Sequence, residues 1–321
     1  MTLNEFFASW RDTKPYIEVQ TSGSTGMPKH IKMSKRDMKI SAESTNAFLG
    51  LGRGARFVCP MDFRFIGAKM MAVRAEVCGG EIVEVKPSNR FTFNGIADLL
   101  AVVPSQVDQL LECPEMAARV RNLIIGGAPL SAHRVAGLQK TGIRFFSTYG
   151  MTETASHVAL ASNGSEIYEA LPGIEFSTDK RGCLVITMEN RDCPEVVTND
   201  IVSLINSTRF KWVGRYDNII NSGGIKIMPE QIEDRIAEIL WENDIRYNGL
   251  CVIPQDSEKW GTEAVCLIEM PLGLPEEMIR NLRGQIDPWK CPREFIRVEV
   301  LPRTPGGKID RQAATRLIQK R

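Results

Sequence analysis

The chain has 321 residues, of which 43% are hydrophobic and 25% charged, and its formal net charge is +1. That length leaves room for a large core and for two domains, and the composition is that of an ordinary soluble globular protein. So even a charge balance offers no field that would draw nucleic acid or an acidic membrane, and no window is long and apolar enough to span a bilayer. Residues 1–10 lack the basic head and continuous apolar run of a signal peptide, so a cytoplasmic protein is expected. The eight cysteines are scattered without a C-x-x-C, and several sit in apolar runs such as 250–253 and 264–268. Free buried thiols of a reducing compartment are expected from this, not a disulfide framework or a zinc site, and with three histidines a His-rich metal centre is disfavoured as well.

In chain order, the first informative segment is Thr21-Ser22-Gly23-Ser24-Thr25-Gly26-Met27-Pro28-Lys29. Glycines let backbone N–H groups turn towards an anion, hydroxyls add donors and the lysine adds a point charge, so the loop suits a polyphosphate. It is not the common G-x-x-x-x-G-K-[ST] nucleotide loop, and read alone it also has the composition of a flexible linker. Ser34 is a good N-cap for a helix that carries Met38, Ala42 and Phe48. Short apolar runs at 56–59, 81–85 and 122–125 read as strands that end in Gly or Pro. Such alternation predicts an α/β domain of layered sheets, with ligands at the strand ends.

A strand-like run at 143–146 leads into Ser147-Thr148-Tyr149-Gly150-Met151-Thr152-Glu153-Thr154. There an aromatic ring can cover a purine, a threonine can bond phosphate and a carboxylate can hold Mg²⁺; a polar strand-to-helix loop with Tyr149 in the core reads equally well. The polar segment 214–218 marks a domain boundary. After it, Asn221-Ser222-Gly223-Gly224-Ile225-Lys226-Ile227 allows close backbone approach to a ligand, or forms a plain hairpin turn. Pro229 opens a helix with Ile232, Ile236, Ile239 and Leu240 on one face. Strands at 250–253 and 264–269, a helix near Pro275 with Met278, Ile279, Leu282 and Ile286, and an alternating Ile296, Val298, Val300 strand complete a small α+β unit. The turn-rich run 301–311 presents Lys308, either as a functional group or as a solvated surface lysine.

In this order the segments TSGSTGMPK, YGMTE, GRYDNIINSGGIKI and PRTPGGKIDR resemble the motifs of the adenylate-forming superfamily of acyl- and aryl-CoA ligases, luciferases and peptide-synthetase adenylation domains. The resemblance runs from Thr21 almost to the C-terminus. It implies a large layered α/β AMP-binding domain over residues 1–216, with a reduced N-terminal subdomain, and a small mobile α+β domain over 217–321, hinged at Asp217. Relatives carry a far longer segment before the first loop, which puts in question the contacts that segment supplies, the oligomeric interface among them.

By position the resemblance assigns Thr21, Ser22, Gly23, Ser24, Thr25, Gly26 and Lys29 to the β- and γ-phosphates of ATP. Gly126, Gly127, Ala128, Tyr149, Gly150 and Met151 fall at the adenine slot, Thr152 at the α-phosphate and Glu153 at Mg²⁺. Asp200 and Arg215 fall on the ribose, although Asn199 stands where relatives carry glycine. Lys308 would bridge carboxylate and α-phosphate, and the Ser222-Gly223-Gly224 turn would line the CoA tunnel. The implied reaction is adenylation of a carboxylic acid with loss of pyrophosphate, followed by transfer of the acyl group to a thiol.

The YGMTETASHVAL run and the short length look most like o-succinylbenzoate–CoA ligases of menaquinone biosynthesis. For the carboxylate of such an acid that is not activated, Arg64, Lys69, Ser156 and His157 are the candidates. Arg64 could equally form a surface salt bridge, and His157 could be a packed, hydrogen-bonded core residue. A carrier-protein thiol in place of CoA, another acid, and a non-catalytic nucleotide-binding protein are the competing readings. The missing P-loop disfavours a phosphoryl-transfer kinase.

Overall fold

The computed structural model describes residues 1–20, 30–304 and 307–318, so the Thr21–Lys29 segment, Pro305 and Gly306 lie outside the described residues. The strands on either side of the first segment, Tyr16–Gln20 and His30–Ser34, pair antiparallel with Gln20 opposite His30.

An eleven-stranded mixed sheet forms the body of the molecule. Its parallel half contains Glu81–Glu84, Arg56–Cys59, Leu99–Val102, Asn122–Ile125 and Arg144–Met151, side by side in that order. The other half is antiparallel and runs through Ser156–Ser162, Ile167–Ala170, Arg209–Arg215, Glu195–Asn206, Cys183–Met188 and Ile174–Thr178. The strand Arg144–Met151 belongs to both halves, parallel to Asn122–Ile125 on one side and antiparallel to Ser156–Ser162 on the other. Ends of strands at such a switch leave a crevice that no crossover covers.

Two apolar layers sandwich this sheet. One contains Phe57, Met70, Leu99, Val158, Leu184 and Phe210, and the other contains Val58, Leu100, Val107, Leu123, Leu138 and Phe145. The helix Lys35–Leu49 starts where Ser34 Oγ accepts from the Asp37 N–H at 3.3 Å and stops at Gly50, whose φ of 68° is left-handed. Met38 and Ala42 lie fully buried on its inner face. The helix Ile66–Cys78 packs against it, and residues 68–75 are all buried, so within that stretch a charged side chain has no solvated face to escape to. At the N-terminus, Phe6 of the helix Leu3–Trp10 is fully buried and stacks on Phe63, so the opening residues are part of the large-domain core.

After Arg215 the chain builds a separate unit. A hairpin, Ile220–Ser222 with Ile225–Ile227, and a three-stranded sheet, Gly249–Ser257, Gly261–Glu269 and Glu294–Val298, pack under the helices Pro229–Glu242, Glu276–Gln285 and Arg311–Ile318. Ile232, Ile236, Ile239 and Leu240 form the buried stripe that their spacing predicts. The last strand ends at Val298 instead of continuing to Val300, which is 68% exposed, because Leu301 takes the next inward position. Among the described residues no helix is long and apolar enough to cross a membrane.

The second signature segment differs from its expected form. Residues 147–151 are not a loop after the strand but its continuation, paired with 156–161; only residues 152–155 leave the sheet, Thr152–Thr154 as a single 3₁₀ turn capped by Ala155. The ladder slips between Tyr149 and Gly150, and there the two backbones close up. A Cβ at Gly150 would lie 2.3 Å from the Ser156 carbonyl oxygen and 2.4 Å from the His157 Cα, atoms with no side-chain freedom to yield. Replacing Gly150 with alanine is therefore expected to lower stability by roughly 2–3 kcal/mol, read as a lower urea midpoint at unchanged m-value. An unshifted midpoint would mean the strands can separate there.

Candidate active site

The residues expected at the nucleotide are organised around a buried carboxylate. Asp200 accepts from the Tyr149 hydroxyl at 2.7 Å, from the Trp212 indole N–H at 3.4 Å and from Arg215 at 3.5 Å. Burial raises the Tyr149 phenol pKa, and the Asp200 charge adds to that, so the hydroxyl stays a donor. The Tyr149 ring packs edge-on against Phe210 and Tyr168, with centroids 5.0 and 5.7 Å away. Arg215 gives two parallel hydrogen bonds to Asp217, at 2.9 and 2.8 Å, which hold its guanidinium plane between the two carboxylates. Gly126 and Gly127 follow the neighbouring strand. A Cβ on Gly126 would sit 2.7 Å from Thr148 Oγ1, and Gly127 has a left-handed φ of 95°, so a side chain at either position is disfavoured. Ala128 follows on the exposed end of that turn.

Lys308 belongs to this group, although it comes from the small unit. The strand-like bridge between Arg303 and Ile309, with the Thr304 N–H bonded to the Lys308 carbonyl at 2.7 Å, sets its backbone. The side chain keeps an exposed flank, yet surrounding protein lowers its pKa by desolvation; the Asp200 carboxylate opposes that and Arg215 adds to it. The structure therefore brings the tail lysine within electrostatic reach of Asp200 and Arg215. Two contacts join the units. The His133 and Trp241 rings lie 5.0 Å apart and a Glu230 carboxylate oxygen abuts Gly214; within the small unit the other Glu230 oxygen accepts from Asn218 at 2.6 Å.

Thr152 is buried at the end of the long strand, and Glu153 projects into solvent beside it. No cluster of three or more His, Cys, Asp or Glu capable of caging a metal exists among the described residues. One exposed carboxylate does fit Mg²⁺, which takes few protein ligands and completes its shell with phosphate oxygens and water. The Ser222–Ile225 turn is a hairpin: Gly223 donates its N–H to the Trp260 carbonyl at 3.0 Å and lies against the Trp260 ring. That ring is flanked by Lys259 at 4.8 Å and Arg293 at 5.6 Å and meets the edge of Trp289, which is 58% exposed.

On the acid side the structure rearranges the expected set. Arg64 does not enter the interior; it is exposed and bound to Asp62 at 2.9 and 2.7 Å, the salt-bridge alternative. Lys69 is buried and gives one of its three donors to the Arg64 carbonyl at 3.1 Å, and desolvation lowers its pKa. The cation that reaches Ser156 and His157 is Arg74, one turn further along the same helix and 1% exposed. Its Nη2 lies 3.3 Å from Ser156 Oγ and 3.4 Å from His157 Nδ1; its Nε has no partner, and none of the ion pairs among the described residues involves it. Burial pulls the Arg74 pKa down to about 9, which still leaves the group cationic at neutral pH. A buried cation without a counter-ion is costly, and such a site gains by taking up an anion. The available sequence signal was an arginine in a helix with no polar face.

The bend that presents Ser156 and His157 is strained. Ala155 and Ser156 have φ values of 52° and 86°, uncommon for side chains with a Cβ. Ser41 Oγ holds the Ala155 carbonyl at 2.9 Å, and Thr154 Oγ1 holds that of Ser156 at 2.6 Å. One short segment therefore joins Thr152 and Glu153, the residues expected at the phosphates, to Ser156, His157 and Arg74.

Comparison with known proteins matches residues 12–184 to the AMP-binding enzyme family and residues 248–308 to the AMP-binding enzyme C-terminal domain. A 2-succinylbenzoate–CoA ligase of Listeria monocytogenes is 25% identical, over 96% of this chain and 71% of the relative. The crystal structure of an acyl-CoA synthetase (AMP-forming)/AMP-acid ligase II-like protein from Dyadobacter fermentans is 31% identical, with a TM-score of 0.63 over 98% of this chain and 92% of that one. An o-succinylbenzoate–CoA synthetase from Bacillus subtilis, solved with ATP and magnesium, shares the fold with a TM-score of 0.77 at 20% identity, over 92% of this chain and 68% of that one.

Removing the Tyr149 hydroxyl by Tyr149→Phe deprives Asp200 of its shortest hydrogen bond. ATP affinity, measured by calorimetric titration, is expected to fall roughly fivefold. An unchanged affinity would show that Asp200 needs no such support.

Proposed function

This chain belongs to the AMP-binding enzyme family, and we propose on that premise that it is an AMP-forming acid–CoA ligase acting on o-succinylbenzoate. In the first half-reaction a carboxylate oxygen attacks the α-phosphorus of ATP. The new O–P bond forms as the bond to the β-phosphate oxygen breaks, and pyrophosphate leaves. In the second, the CoA thiol attacks the acyl carbon, the C–S bond forms as the C–O bond to AMP breaks, and the thiol proton passes to solvent.

The first step brings two anions together, so fixed positive charge at the point of approach is the main requirement. Lys308 supplies it, as a compact ammonium on a flexible stem, held near Asp200 and Arg215 where a nucleotide's ribose and α-phosphate would lie. Glu153 would hold Mg²⁺ beside the phosphates, and the ion would add charge neutralisation there. Thr152 stands next to the α-phosphate position. The phosphate-loop assignment for Thr21 to Lys29 rests on the motif alone.

The observation that carries the choice of acid is Arg74. An acid with a second carboxylate provides the counter-ion that this buried guanidinium lacks, whereas a monocarboxylic acid would leave it uncompensated. The naming of relatives as 2-succinylbenzoate–CoA ligases supports the same choice. For the thiol, the half-buried Trp260 and exposed Trp289 rings with Lys259 and Arg293, next to the Gly223–Gly224 turn, suit the nucleotide end of CoA by stacking and charge, which favours CoA over a carrier protein. Between steps the small unit, residues 217–321, would turn at Asp217, withdrawing Lys308 and bringing that turn to the acyl group.

Two substitutions test the roles. Lys308→Ala is expected to slow acyl-AMP formation roughly 100- to 1,000-fold while sparing thioester formation from supplied acyl-AMP; equal loss in both would remove the lysine from the first step. Arg74→Met is expected to raise the KM for o-succinylbenzoate roughly 100-fold with the ATP KM unchanged, whereas Arg64→Ala leaves it near wild type. The reverse pattern would make Arg64 the anchor.

A further inference from the structure

Around Arg74 runs a chain of buried hydrogen bonds that the reaction as described does not use. Thr45, in the helix Lys35–Leu49, is fully buried; its hydroxyl lies 3.0 Å from the Ser41 carbonyl and 3.0 Å from His157 Nε2. His157, 5% exposed, has its other ring nitrogen 3.4 Å from Arg74 Nη2. Asn46, next in the same helix, donates to the Arg74 backbone carbonyl at 2.9 Å and ties the two helices together at that level.

The donor count fixes the protons. A hydroxyl has one proton, and the Ser41 carbonyl can only accept, so Thr45 donates to Ser41 and can only accept from His157. The His157 proton is therefore on Nε2. At the other end, a guanidinium N–H can only donate, so Nδ1 must present its lone pair. The arginine end thus requires the neutral Nε2–H tautomer, and the Thr45 hydroxyl, donating to Ser41, matches it as the acceptor. A second proton on Nδ1 would face the arginine directly, and burial together with the Arg74 charge keeps the ring from taking one.

We infer that Thr45 and His157 are positioning residues for the acid: they hold the imidazole as a neutral acceptor that aims the Arg74 guanidinium without quenching its charge. An aspartate or glutamate in place of His157 would orient the arginine equally well but would neutralise it, leaving nothing for the substrate. A neutral ring and the Ser156 hydroxyl fix direction only, and the unpartnered Nε and the full positive charge remain for a carboxylate. The relay begins on the helix Lys35–Leu49, crosses the strand Ser156–Ser162 and ends on the helix Ile66–Cys78, so three separate elements must be in register for the arginine to be aimed.

This inference rests on the assignment of Arg74 to the acid, and its test separates the two. The variants are Thr45→Val, which keeps the shape and removes the hydroxyl, and Thr45→Ser, which keeps the hydroxyl. Each is assayed with o-succinylbenzoate and with 4-oxo-4-phenylbutanoate, the same keto acid without its ring carboxylate. Thr45→Val is expected to raise the KM for the dicarboxylate roughly tenfold, with kcat and the ATP KM nearly unchanged and the monocarboxylate unaffected, and Thr45→Ser to stay near wild type. Equal effects on both acids, or a serine variant as impaired as the valine one, would reduce Thr45 to a packing role and overturn the inference. Nitrogen-15 spectra of wild-type protein with labelled histidine report the ring directly and need no variant to fold. A neutral Nε2–H imidazole supports the relay; an Nδ1–H ring or an imidazolium overturns it. If wild-type protein releases pyrophosphate with neither acid, the substrate assignment fails, and the histidine spectrum alone then decides the relay.

Discussion

Everything near the site depends on how closely two antiparallel strands approach at Gly150. With no Cβ there, the backbone of residues 156–157 comes within 2.3–2.4 Å of where one would be. The ladder slips by a register step, and the returning chain must bend sharply through the left-handed pair Ala155–Ser156. That bend places Thr152 and Glu153 on one side of a single short turn and Ser156 and His157 on the other. A site that must hold a triphosphate and an organic acid in contact needs such an element, because the reacting carboxylate and the α-phosphorus have to meet within van der Waals distance.

The charges on the two sides are handled differently. On the proposed nucleotide side they are shared: Asp200, Arg215 and Asp217 form a partly neutralised set, into whose field the small unit brings Lys308. On the proposed acid side Arg74 is left without an ion pair among the described residues and is buried. The first arrangement suits a group whose role is transient, since a weakly held ammonium can be withdrawn at modest cost. The second suits selection of a substrate, since a buried, unpaired cation discriminates strongly between acids that can compensate it and acids that cannot.

Much of this was legible in the amino-acid sequence where the signal was local. Ser34 and Gly50 bracket their helix through their own side chain and φ, and the Ile232, Ile236, Ile239 and Leu240 stripe follows from helical periodicity. The motif segments were readable because glycine, hydroxyl and charge in a fixed order are visible without a fold, and Tyr149, Asp200, Arg215 and Lys308 do share one neighbourhood. What escaped was set by tertiary contact. The strand running on through Ser147–Met151 depends on pairing with residues 156–161, which no local rule anticipates. Arg64 stands between Phe63 and Phe65 with Asp62 two residues away, and it pairs with that carboxylate and stays outside. Arg74 was passed over because its neighbours are apolar, and that is why it is buried.

The central claim is that this protein activates a dicarboxylic aryl acid as an acyl-adenylate. Exchange of labelled pyrophosphate into ATP, without CoA, measures that step and nothing after it. The account predicts exchange that requires o-succinylbenzoate and is far weaker with the acid lacking its ring carboxylate. Exchange that is absent, or that proceeds equally well with both acids, would contradict it.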